Sequence, residues 1–143
     1  MKLLCSIFVI ISSIGLAFAA EDKLSVTDAW ARPVILENRP GAAYFIIQNN
    51  SSLDDKLIKA TSELAARIEL HKVENVAGIM KMSQTVDIPV AANSKTEVRP
   101  GGYHLMLFGL TEKLAVGGAL PLTLTFEHAG EVKITAHIMK KAP

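Results

Sequence analysis

His104 and Met106 are separated by one residue within an apolar run, GGYHLMLFGL at 101–110. In an extended strand successive side chains alternate between faces, so these two point the same way, and Tyr103, Leu105 and Leu107 point the other. Two readings of the pair are open. Partly buried His and Met are ordinary core residues. They are also, together, an imidazole and a thioether offered to one metal ion. The remaining methionines and histidines bear on the choice. Apart from the initiator there are Met80, Met82, Met106 and Met139, with His71, His104, His128 and His137. Every one of these methionines lies two residues from another Met or from a His, whereas methionines used only as core filler would be scattered among the leucines. Thioether sulfur is soft and uncharged and selects Cu(I) over Zn(II), Mg(II) or Ca(II); imidazole also suits copper. Methionine has no proton to lose, so only the histidines would make such binding pH-dependent.

The start of the chain says where this chemistry would operate. Met1-Lys2 followed by the apolar run Leu3 to Ala19, ending Ala17-Phe18-Ala19, has the layout of a cleavable secretory signal. We therefore expect residues 1–19 to be removed and 20–143 to form a single domain. Cys5 lies near the start of the apolar run rather than after it and is not placed as a lipid acceptor. Losing Lys2 leaves 14 basic residues against 14 acidic ones. A neutral chain without a basic tract has no electrostatic footprint for nucleic acid, and no membrane insertion of the mature chain is expected. With Cys5 gone the mature chain has no cysteine, so its only soft ligand is methionine. That suits an oxidising compartment, where thiols cross-link and thioethers do not.

Residues so far apart along the chain must be positioned by the elements around them. Short runs rich in Val, Ile, Leu, Tyr and Phe recur between Pro, Gly, Asn and Asp. They predict strands over 43–48, 57–60, 67–73, 80–86, 95–99, 103–109, 122–127 and 132–138, and the last two flank a hairpin signal, His128-Ala129-Gly130-Glu131. Such spacing points to an all-β sandwich or barrel. Thr61 to Leu70 also admits a turn of helix. Pro100-Gly101-Gly102 permits a sharp change of direction that would deliver His104 to one end of the sandwich, where sites collect.

These residues also carry a resemblance. His71, Met82, His104 and Met106, with ten, twenty-one and one residues between them, match the ligand spacing of the periplasmic copper chaperones of the PCu(A)C family. Ala29-Trp30-Ala31-Arg32, Gly41-Ala42-Ala43-Tyr44-Phe45, Glu69-Leu70-His71, Ile88-Pro89-Val90, the run Arg99 to Leu107 and Leu122 to Phe126 are similar to that family as well. The resemblance implies a cupredoxin-like Greek-key β-sandwich binding one Cu(I) per chain through those two His and two Met. It implies a periplasmic, monomeric carrier that hands copper to the CuA centre of cytochrome c oxidase subunit II, directly or with Sco-type proteins. The activity would be metal handover rather than turnover of a substrate.

Several residues keep a second reading. Met80 would share a strand face with Met82 and is a packing residue, a ligand in place of Met82 or an auxiliary sulfur. His137-Ile138-Met139 is the end of the last strand or a second copper site. His128 reads as a solvated turn residue and Trp30 as a core or sandwich-edge aromatic rather than part of the site. Rival functions fare worse. A blue-copper electron carrier needs a Cys thiolate that the mature chain lacks. A hydrolase would show HExxH, clustered acid and His, or GxSxG, and none is present. An exported β-sandwich interaction module without a metal is the alternative.

Overall fold

The computed structural model describes residues 23–143, so the expected signal segment and its cleavage point lie outside the described residues. The described chain is built from ten strands: β1 (Leu24–Ala31), β2 (Gly41–Asn49), β3 (Asp55–Thr61), β4 (Ala65–Val76), β5 (Ile79–Gln84), β6 (Ile88–Val90), β7 (Ser94–Val98), β8 (His104–Leu110), β9 (Ala119–Phe126) and β10 (Gly130–Ile138). Thr61 to Leu70 is strand and turn, without the turn of helix its composition allowed. Eight strands fall where the sequence predicts them, and β1 and β6 are additional.

The strands follow one path, β5-β4-β8-β2-β1-β10-β9-β3-β6, with β7 pairing β2 off that path. All pairings are antiparallel except β1 with β10, where Trp30 meets His137 and Ala31 meets Ile138. Neighbours such as β4 and β8, or β1 and β10, are far apart in sequence, which gives the order its Greek-key crossovers. The path coils so that its two halves face each other across one core. Phe45, Ile47, Leu57, Leu105, Leu107, Leu122, Leu124 and Phe126 are almost fully buried there. Each such side chain contributes roughly 1.5–3 kcal/mol of transfer free energy. That burial is what a domain without disulfides must rely on.

Two tight features hold the frame near its ends. Gly101 has φ +79°, and this turn feeds directly into β8. At the other end the buried Asp55 carboxylate accepts hydrogen bonds from the backbone N–H groups of Lys56, His128 and Ala129 at 2.7, 3.0 and 2.9 Å. It thereby fastens the β9–β10 hairpin to β3. That hairpin forms at the residues that signalled it, and His128 is exposed in its turn.

Candidate metal centre

Side-chain alternation in β4 and β8 puts Leu70, Leu105 and Leu107 into the core and leaves His71, His104 and Met106 on the opposite sheet face. The register then brings them together. His71 and His104 are direct cross-strand partners, and their ring centroids are 5.7 Å apart at an interplanar angle of 46°. Met106 is the partner of Glu69 and so a diagonal neighbour of His71. On the other side of β4, Met82 in β5 is the partner of Val73, the opposite diagonal from His71. All four residues share one face of the β5–β4–β8 segment. The two histidines and Met106 are adjacent there. Met82 is the outlying donor, on the edge strand and 52% exposed.

The hydrogen bonds fix which nitrogen each ring has to offer. His71 Nε2 lies 2.9 Å from Glu69 Oε2. The bond from His71 holds the Glu69 carboxyl below its ordinary value; partial burial opposes this, and Arg67 adds to the lowering. An ionised carboxylate only accepts, so Nε2 carries the proton and donates, leaving the lone pair on Nδ1. That Nδ1 is buried and has no hydrogen-bond partner. His104, 6% exposed, donates from Nδ1 to the Gly102 carbonyl at 3.0 Å, which leaves Nε2 as its free acceptor. A buried polar atom without a partner is costly unless something absent from the protein itself satisfies it. Two lone pairs on neighbouring imidazoles, with thioethers on either diagonal, are a donor set for a soft metal ion. Among the described residues no three His, Cys, Asp or Glu form a group placed to hold a metal ion.

The other candidates fall into place around this centre. Met80 is the partner of Asn75, on the same face as Met82 and 61% exposed, so it is not a packing residue. His137 is exposed at the end of β10, and β10 stops at Ile138 before Met139. Trp30 is buried against Tyr44 with ring centroids 4.6 Å apart, and both alternate with the core residues Ala31, Ala43 and Phe45, so they pack on the sheet face away from the central core. A cleft of about 440 Å³ lined by Asn49, Asp54, Asp55 and His128 includes neither His71 nor His104. Its buried groups are already satisfied: Asn49 donates to the carbonyls of Leu53, Val90 and Ala91, and Asp55 holds its three N–H groups. Sequence reasoning gave no role to Arg67 or Glu69. The signal was there, since Arg67, Glu69 and His71 alternate along one strand and must share a face.

Comparisons with known proteins bear on the fold and the family. The model of the lipoprotein LpqE-like family matches residues 24–138. The uncharacterized protein RP573 of Rickettsia prowazekii (strain Madrid E) is 30% identical over 115 residues, 76% of this chain and 62% of that protein. The chain thus spans about three fifths of the length of the curated relatives it matches. Among solved structures, the copper-bound PCuAC domain from PmoF2 is similar at TM-score 0.69 and 29% identity, covering 85% of this chain and 94% of that one. The Cu(I) form of DR1885 from Deinococcus radiodurans is similar at TM-score 0.60 and 29% identity, covering 86% and 84%. The sandwich is therefore of the cupredoxin-like type, and the chain belongs to the LpqE-like family, among the PCuAC domains.

Proposed function

We propose that this protein is an exported copper carrier that binds one Cu(I) through His71 Nδ1, His104 Nε2 and the thioethers of Met106 and Met82. The observation that carries the reading is the buried, unpartnered His71 Nδ1 beside a second imidazole lone pair. Solved relatives in copper-bound and Cu(I) forms support the choice of metal. His71, His104 and Met106 make the preassembled part of the site, and Met82 closes it from the β5 edge. Neutral ligands and a half-exposed fourth donor suit a carrier that must release its ion as well as hold it. No step of bond-making on a substrate is involved. After removal of residues 1–19 the domain 20–143 acts in the periplasm as a monomer. It delivers copper to the CuA site of cytochrome c oxidase subunit II, directly or with Sco-type proteins. The sequence resemblance supports that destination.

Titration of the mature protein with Cu(I) against a chromophoric chelator tests the site, with Met82→Leu and Met106→Leu as variants. Leu nearly preserves volume, so each should cost less than about 1.5 kcal/mol of stability while copper retention drops at least about tenfold. Variants that hold copper as well as the parent would remove the methionines from the site and favour a metal-free interaction module. Mixing the loaded protein with the soluble CuA domain of subunit II then tests the destination: absorption of the assembled CuA centre should appear with it and not with free copper-chelator complex.

A further inference from the structure

We propose that Arg67 and Glu69 are positioning residues of the copper site: they present His71 through Nδ1 and keep the Glu69 carboxylate out of the coordination sphere. The inference rests on the Cu(I) reading above. Glu69 stands directly across from Met106, on the face that carries both histidines. A carboxylate beside two imidazoles completes a donor set of the kind that binds zinc, so an unrestrained Glu69 would threaten the softness of the site. Both of its oxygens are occupied instead. Oε2 accepts from His71 Nε2 at 2.9 Å, and Oε1 forms an ion pair with Arg67 Nε at 2.7 Å.

Arg67 is held in turn from the neighbouring strand. Its guanidinium carbon lies 4.6 Å from the centroid of Phe108, its cross-strand partner. Phe108, Arg67, Glu69 and His71 thus form a chain along one sheet face, with the bare Nδ1 at its end. The Arg67 side chain is well exposed, and ion pairs in such positions contribute little to folding. Orientation is what the pair supplies. Partners of this kind set the tautomer and direction of a metal-binding histidine.

The test uses the ¹⁵N-labelled mature protein and the variants Glu69→Leu, Glu69→Gln and Arg67→Leu. Long-range ¹H–¹⁵N spectra of the copper-free protein should show His71 protonated at Nε2 in the parent. Glu69→Leu should give a mixture of tautomers and lower Cu(I) affinity about 10- to 100-fold, with the thermal midpoint nearly unchanged. Glu69→Gln, whose amide oxygen still accepts from Nε2, should restore most of both. Arg67→Leu should keep the tautomer, free one carboxylate oxygen and strengthen Zn(II) binding about tenfold or more. An unchanged His71 spectrum in Glu69→Leu, or parental Zn(II) affinity in Arg67→Leu, would overturn the inference. The spectra and the zinc titration are read without copper, so they stand apart from the Cu(I) reading, which fails separately if the parent retains no cuprous ion.

Discussion

At His71 a single proton decides what the ring can offer. Because Glu69 takes the Nε2 proton, the lone pair is left on the buried Nδ1, and a similar exchange with the Gly102 carbonyl frees Nε2 of His104. The residue scale also contains a carboxylate whose work is structural. Asp55 is pushed upward in pKa by burial, yet the backbone N–H groups of His128, Lys56 and Ala129 outweigh this and hold it below its ordinary value. Replacing it with Ala leaves those donors without their acceptor, and we expect a loss of about 1–3 kcal/mol by urea denaturation. A depressed carboxyl stabilises the fold fully above its unfolded pKa, about 3.9, and that contribution disappears as pH falls through the lower folded value. Stability measured from pH 7 down to 2 should therefore fall less steeply in Asp55→Ala over that acid window. Parallel curves would mean that Asp55 does not fasten the hairpin.

At the scale of elements, what the sequence leaves hidden has particular causes. In β1 the alternation of Leu24 and Val26 is thrown out of phase by a bulge between Thr27 and Trp30, where Asp28 adopts φ +51°, so the period-two pattern breaks mid-strand. In β6, Pro89 argues against a strand. It is tolerated because β6 is an edge of the sheet, pairing only with β3. The eight remaining strands were legible because their apolar runs end in turn residues. The common face of His104 and Met106 was legible as well, from alternation alone. The pairing of His71 with His104 was not, since β4 and β8 meet through a long-range register that no local pattern encodes; only the resemblance joined the four proposed ligands. That register is guarded at the far end of the same strand pair. Gly109 has φ +61°, and a Cβ there would sit 2.7 Å from the Cβ of Ala66. Gly109→Ala is therefore strained twice over and should cost about 1–3 kcal/mol. Measured by thermal unfolding, a loss under 0.5 kcal/mol, the level of an ordinary surface change, would show that β4 and β8 can part there freely.

For the molecule as a whole, the proposed ion lies between the most and the least anchored parts of one sheet. β8 is interior to the strand order and buries Leu105 and Leu107, whereas β5 ends the order with Ile79, Met80 and Met82 exposed. Local opening is easiest where few apolar contacts hold a strand, so amide exchange without copper should be fastest in β5 and slowest in β8 and β9. One ion ligated by His104 and Met106 on β8, His71 on β4 and Met82 on β5 would tie the edge to the interior. At a free Cu(I) concentration 100 times the dissociation constant, linkage adds about 2.7 kcal/mol to stability. The gain should be uneven in space: protection should rise across the β4–β5 hairpin and change little at the Asp55-anchored β9–β10 hairpin on the far side. Met82→Leu, with three ligands left, should keep part of the thermal shift and lose the protection of β5. If copper instead slows exchange equally in both hairpins, or leaves β5 as open as before, Met82 is not the residue that closes the site.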